Sequence, residues 1–364
     1  MSLTEFKSRD QQLPLPVFFP DATRAVLRML DSKDIEDTHT PGILVNTFHL
    51  YKDLGKRALD AHGGVREFMS WKGGVISDSG GFQVMSLVKR SGMKGKITDK
   101  GMTLWYSKKN KIELSPQDSV RFQMVLKPDM VVVLDDFTTP DATPEEARDT
   151  VERTIRWAKI CKLEFEKICK QQKLTEETRP YLLGVVQGGM YLDLRAECTQ
   201  RLVEIGFDGL GYGGWPVNDD KTFNYDIAEV IAKHAPKHYL LYGLGIGKPD
   251  EIVGCVQRGF HIFDCVLPTR DARHKRLYVY TAETMDAIDV TQPKFYEFYS
   301  PDKEKWYADN SPVSTACDCL LCSRYTKSYL AHLFRIDDMT AKRLATIHNL
   351  RFYSILMEKL RTLQ

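Results

Sequence analysis

Eight short runs of aliphatic and β-branched residues recur along the 364-residue chain, at 17–19, 43–47, 75–77, 130–135, 182–187, 209–213, 239–244 and 262–266. Helical patterns separate them. Apolar runs of this length, set between helices, belong to parallel strands with helical crossovers. Eight such units over roughly 250 residues is the size at which a parallel sheet closes on itself, so the chain is expected to be α/β, a TIM (β/α)8 barrel. The helices carry start signals. Ser115, Pro116 and Asp118 occupy N-cap, first and third helical positions, and Thr143, Pro144 and Glu146 do the same. Val151, Ile155 and Ala158 share one face of the long helix that follows Thr143. The segment beginning at Pro249 has a stop at Gly259.

After the eighth run the alternation stops. The expected organisation is a barrel over 1–280, an inserted C-terminal zinc-binding subdomain over 281–340, and a final helix over 341–364 that packs back on the barrel. The insert holds Cys317, Cys319 and Cys322 as C-x-C-x-x-C. A lone C-x-x-C fits a redox pair, but three thiols leave an odd one, which suits a metal better. Zinc takes four ligands in a tetrahedron, and two downstream histidines, His332 and His348, are candidates for the fourth. The other five cysteines are scattered and read as reduced thiols of a cytoplasmic protein.

Hydrophobic residues make up 43% and charged residues 27% of the chain, the balance of a soluble globular protein. No apolar run is long enough to span a membrane, and the first twenty residues lack the apolar core of a secretory leader, so neither is expected. The net charge of +2 means that a polyanionic partner must be met by local patches. Two stand out. Residues 89–111 contain eight Lys or Arg and one Asp, and 269–276, "TRDARHKR", add another cluster. A charge run is usually a solvated face, yet each of these follows directly on a candidate catalytic carboxylate.

Barrel active sites are built at the C-terminal ends of the strands. Here those ends carry Asn46, Asp78, Asp135 with Asp136, Gln187, Gly213 with Gly214, and Asp264. One Asp alone could cap the next helix, but carboxylates from three strands exceed what capping needs. Their converging suits either metal-assisted work on oxygen ligands or displacement at a sugar carbon, with one carboxylate attacking and another moving protons. The glycine pairs in "SDSGGFQV" and "GLGYGGWPV" favour the second. They let backbone approach a flat ligand, with Phe82 or Tyr212 free to stack and Gln187 able to offer both a donor and an acceptor. Neither pair has the G-x-G-x-x-G spacing of a dinucleotide site.

These residues sit in motifs that resemble the tRNA-guanine transglycosylase family: "NTFHL", "SDSGGFQVMSL", "LDD", "VVQGG", "FDGLGYGG", "GIGKPDE", "FDCVLPTRDAR", the cysteine cluster and "HNL", in that order and over nearly the whole chain. The resemblance implies exchange of guanine at the tRNA anticodon wobble position for a 7-deazaguanine base. It implies Asp264 as the nucleophile at C1′ and Asp78 as general acid/base. Asn46 would orient the carboxylates; Asp135, Gln187 and Gly214 would bind the base edge; Phe82 would stack on it; Leu244 would line the other face. Gln83 and Trp215 fall in the same pocket, and Arg270, Arg273, Lys275 and Arg276 become tRNA contacts. The family's ligand set selects His348 with Cys317, Cys319 and Cys322, making the Zn2+ structural. Family members commonly act as homodimers.

The departures lie in the base pocket. Bacterial members usually have Asp-Glu-Cys where this chain has Asp135-Asp136-Phe137, and Gly-Gly-Leu-x-Val-Gly-Glu where it has Gly213 to Asp219 with Trp215 in the Leu position. The segment "PVFFPDAT" replaces "PVFMPVGT", and "ARHKR" replaces a "GRNG"-like run. Either these are neutral, or they alter base choice, for example toward queuine over preQ1. Three other functions compete: a non-catalytic partner subunit, deazaguanine insertion into DNA, and a glycoside hydrolase. Retention of Asp78 and Asp264 argues against the first, and the cysteine knot and basic rim against the last.

Overall fold

The computed structural model describes residues 3–9, 11–89, 93–105, 107, 111–215, 217–218 and 220–363. Asp219, Pro216 and part of the basic run at 89–111 lie outside them.

Eight parallel strands form one sheet: β1 (Val17–Pro20), β2 (Gly42–Val45), β3 (Gly74–Ser77), β4 (Met130–Val132), β5 (Tyr181–Val186), β6 (Gly209–Tyr212), β7 (Leu240–Gly243) and β8 (Ile262–Cys265). Their order around the sheet is β1-β8-β7-β6-β5-β4-β3-β2, so sequence neighbours are spatial neighbours. The seam between β1 and β2 is drawn together at the mouth, where Asp21 bridges Leu44 and the Ala22 N–H donates to the Leu44 carbonyl at 2.7 Å. The result is the expected barrel. The strands are apolar but for Ser77 and Asp264, because both faces are buried, one by inward side chains and one by helices. Expected strand ends ran long. β4 stops at Val132 rather than residue 135, because the chain peels inward after Val133 donates to Leu183 and so carries Asp135 to the mouth.

The helix starts follow their caps. Ser115 accepts from the Asp118 N–H, and Thr143 and Glu146 form a reciprocal capping box at the head of the helix Pro144–Gln171. The helix Pro249–Val256 ends just short of Gly259, which takes the left-handed turn at φ +87°. Two elements were not foreseen. A hairpin of Glu5–Ser8 with Gln11–Pro14 closes the far end of the barrel, where Phe6 is fully buried against Phe19 and Tyr181. A three-stranded antiparallel sheet, Gly95–Thr98, Gly101–Trp105 and Lys111–Leu114, extends beyond the mouth after the helix Gly81–Lys89.

After β8 the chain forms a short helix, Leu267–Arg273, then a hairpin, Leu277–Tyr280 with Tyr296–Tyr299, and two helices, Leu320–Arg324 and Lys327–Arg335. The last helix, Met339–Arg361, returns to the barrel wall. Its Tyr353 packs on Phe18 of β1 with ring centroids 4.6 Å apart and donates its hydroxyl to the Gly247 carbonyl at 2.5 Å. This helix occupies the place of the eighth barrel helix, and the cysteine-bearing segment is an excursion between β8 and it. No helix among the described residues is long and apolar enough to cross a membrane.

Candidate active site

Every strand delivers a residue to the mouth. In spatial order they are Asp264 (β8), Asp21 (β1), Asn46 (β2), Asp78 (β3), Asp135 (β4), Gln187 (β5), Gly213 and Gly214 (β6), and Leu244 (β7), each at or just past the strand's C-terminal end. Sequence reading supplied seven of these eight positions. The eighth, Asp21, is not marked by the sequence, because it lies beyond the apolar run 17–19.

Asp264 is buried, 8% exposed. Its Oδ1 accepts from the Tyr242 hydroxyl at 2.8 Å and the Gly245 N–H at 2.9 Å. Those two donors fix the carboxylate plane and leave Oδ2 without a hydrogen bond among the described residues. Asp78 is held on both oxygens. Asn46 Nδ2 donates to Oδ2 at 2.5 Å, while the N–H groups of Thr47 and Gly80 donate to Oδ1 at 2.9 and 3.1 Å. Asn46 does double duty, since its Oδ1 caps the next helix at the His49 N–H, 3.0 Å away. Burial pushes Asp78 up to about 8, and the Asp21 and Asp264 charges add to it. Burial likewise pushes Asp264 up to about 7, again with Asp21 adding. Asp21 is itself raised by burial, against a 2.7 Å hydrogen bond from Thr23 and the charge of Arg273.

The opposite side of the mouth is amide-rich. Gln187 Nε2 donates to Asp135 Oδ2 at 2.6 Å, and its Oε1 accepts from the Thr138 N–H at 3.2 Å, so the amide has one orientation. Burial, with the Asp136 charge second among the causes that raise it, pushes Asp135 up to about 6, against the Gln187 hydrogen bond. Asp136 turns away and pairs with Arg153 on the following helix. Gly214 has φ +90°. Phe82 stands 41% exposed at the rim, edge-on to Phe137 with centroids 5.3 Å apart. Gln83 Oε1 is buried with no hydrogen-bond partner among the described residues. Leu244 packs on Gly211, where a Cβ would stand 2.7 Å from it. Trp215 is at the rim, 38% exposed.

Away from the mouth, the ligand atoms of Cys317, Cys319, Cys322 and His348 all lie within 4.8 Å of one another, and all four residues are buried. His348 Nε2 is 2.8 Å from the Tyr278 carbonyl, which can only accept, so this nitrogen carries the proton and Nδ1 faces the thiols with a lone pair, 3.2 Å from Cys322 Sγ. The cluster could hold a metal ion. His332 is not part of it.

A family model described as queuine tRNA-ribosyltransferase matches residues 2–363. The chain belongs to the queuine tRNA-ribosyltransferase family. The protein of that name from Acinetobacter baumannii is 38% identical over 347 residues, covering 95% of this chain and 85% of its own length. Those from Acinetobacter baylyi and Vibrio atlanticus are 38% and 37% identical, covering 95% of this chain and 83% and 85% of their own.

For a member of the queuine tRNA-ribosyltransferase family, the cations around the mouth matter as well. Arg273 is half-buried, and burial holds its guanidinium below the usual arginine value, helped by Arg28 and Arg270 and opposed by Asp21. Arg270 is exposed. Lys275 and Arg276 lean toward the excursion. Lys275 lies 3.5 Å from Asp302, and Arg276 sits over the Phe298 ring at 4.8 Å. Arg28 was not anticipated, since it lies far from the basic runs in sequence.

Proposed function

We propose that the chain is a tRNA-guanine transglycosylase working by double displacement at the mouth. The observation that carries this is the pair Asp264 and Asp78: both carboxylates are desolvated, yet among the described residues one has an oxygen without a hydrogen bond and the other is held on both. Asp264 Oδ2 attacks C1′ of the target ribose. The bond from C1′ to guanine breaks as Asp78 delivers a proton to the leaving base, and a covalent Asp264–ribose intermediate forms. A 7-deazaguanine then enters, gives its ring proton to Asp78 and attacks C1′. Asp264 leaves as carboxylate, with net retention. The target base must quit its stack to reach the mouth, at a cost of a few kcal/mol. Asp135, Gln187 and Gly214 read its edge, with Phe82 stacking on it and Gln83, Trp215 and Leu244 completing the pocket. Arg270, Arg273, Lys275 and Arg276, joined by Arg28, meet tRNA phosphates, so binding weakens with salt.

The cysteine–histidine cluster would hold Zn2+ as a closed tetrahedral site with a structural role; its buried thiols and tautomer-fixed imidazole fit that ion. The working form is a homodimer in the cytoplasm. Phe137 beneath Phe82, and Trp215 at the rim, are where base choice would depart from that of bacterial members. Mass spectrometry of tRNA after incubation with preQ1, queuine or preQ0 tests the activity and the choice together. No exchanged base in any arm would overturn the reading, and equal use of preQ1 by this chain and a typical bacterial enzyme would end the altered-choice idea. Base exchange surviving in Asp264→Ala would make the chain a partner subunit, and guanine release from duplex DNA but not tRNA would change the polymer.

A further inference from the structure

Arg195, on the helix Leu192–Ile205 after β5, is fully buried. A buried guanidinium ordinarily meets a carboxylate, but among the described residues this one has only backbone carbonyls as hydrogen-bond partners. Nε donates to Gly189 at 2.9 Å, and Nη1 donates to both Val186 and Gly213 at 2.7 Å. The Tyr212 ring backs it at 5.3 Å. Val186 and Gly189 bracket Gln187, and Gly213 precedes Gly214, so one cation ties together the two loops that carry the proposed base readers. A Cβ on Gly214 would stand 3.0 Å from Arg195 Nη2 and 3.4 Å from Gln187 Oε1, so the backbone there is closely seated against both.

The carbonyl of the Gly213–Gly214 peptide accepts a charge-assisted hydrogen bond, and its N–H, that of Gly214, makes no hydrogen bond among the described residues. Drawing electron density onto a peptide oxygen strengthens the N–H of the same unit as a donor. We infer that Arg195 is a positioning residue that sets and polarises this peptide, so that the Gly214 N–H grips the ring carbonyl of the leaving and entering bases. This rests on the base-exchange reading above.

The test uses the full chain with its metal, as Arg195→Lys and Arg195→Gln, assayed for exchange of radiolabelled guanine into tRNA and for competition by 6-thioguanine, whose sulfur is a weak acceptor. The expected result is a KM for guanine raised about tenfold, the loss of one charge-assisted hydrogen bond, with the smaller effect in the Lys variant. The KM for tRNA holds, and the preference for guanine over 6-thioguanine shrinks. An unchanged KM for guanine, a fall in kcat alone, or failure of both variants to fold by melting and metal content would overturn the inference. Absence of guanine exchange by the unaltered chain would instead overturn the reading beneath it.

Discussion

Asn349 accepts from the Tyr278 N–H at 3.1 Å while its sequence neighbour His348 donates to the Tyr278 carbonyl at 2.8 Å, so both ends of one residue are gripped from a single turn of the last helix. Asn349 goes on to donate to the carbonyls of Pro268 and Arg276 at 2.9 and 3.0 Å. The cysteine–histidine cluster is therefore joined by two side chains to the segment that leaves Asp264. The motif "HNL" is one histidine facing the thiols and one asparagine bracing the exit of β8.

Asn349→Ala should consequently destabilise the fold by about 2–4 kcal/mol, because it strands buried peptide groups that no water can reach. Removal of the metal should loosen the same path. Hydrogen exchange after chelation is expected to rise first around the Leu277–Tyr280 strand and then in Leu267–Arg273, and later or not at all in β3 and β4. Uniform loss of protection across the barrel would contradict this route.

The activity should have a bell-shaped pH profile. Asp264 must be ionised to attack, and burial sets it near 7; Asp78 must hold a proton to deliver to the leaving base, and burial sets it near 8. The rate of forming the covalent intermediate should rise through about 7 and fall through about 8. The two limbs belong to the coupled pair rather than to either residue alone. Single-turnover release of guanine across pH 5.5–9.5 measures it, and a rate flat from pH 6 to 9 would refute it.

Asp21 adjusts that profile. Its charge disfavours ionisation of both Asp78 and Asp264. Asp21→Asn should keep the Thr23 hydrogen bond at its remaining oxygen and move both limbs downward, each by about 0.5–1 pH. A profile that merely drops in height, with both limbs unmoved, would assign Asp21 to the β1–β2 seam alone.

Much of this was legible in the sequence for a physical reason. Strands buried on both faces appear as continuous apolar runs, so all eight were visible, and the polar residues interrupting their ends marked the mouth. Hairpins leave a weaker trace. Ile97, Met102, Leu104, Ile112 and Leu114 do alternate with polar residues around the Asp99–Lys100–Gly101 turn, but a basic run hid them. Asp21 was lost to an error of one residue at a strand end, which decides whether the next side chain counts as mouth or loop. Arg195 was invisible, because an arginine in a helix reads as surface and only the fold shows it buried with no acid beside it among the described residues.

Asp264 costs the fold stability whenever it is ionised. Its folded value lies above that of the unfolded chain, so the folded state binds the proton more tightly. The contribution is most favourable at low pH and is lost as pH rises from about 4 through 7. Asp264→Asn keeps an oxygen for Tyr242 and Gly245 and removes the charge. It should abolish exchange yet stabilise the protein by about 1–2 kcal/mol or more at pH 8.5, with a clearly smaller gain at pH 5. Thermal melting at both pH values measures the difference, and an equal gain at each would rule out the charge as its cause.

Gln187→Glu tests the amide side of the pocket. In the wild type Gln187 is spent on two neighbours, accepting from the Thr138 N–H and donating to Asp135. A glutamate can still accept from Thr138, but it sets a second carboxylate where the Nε2 donor stood, 2.6 Å from Asp135 Oδ2. Two ionised carboxylates at that separation repel, so one of them must hold a proton. Asp135 already lies near 6 through burial, and the new neighbour should drive one member of the pair well higher. Base binding should weaken about tenfold or more at pH 8, where the pair is strained apart, and recover in part near pH 5.5, where a shared proton restores a donor between the two side chains. The KM for guanine against pH reads this directly. A loss of the same size at both pH values would mean that Gln187 serves the base by shape and not by the proton it holds toward Asp135.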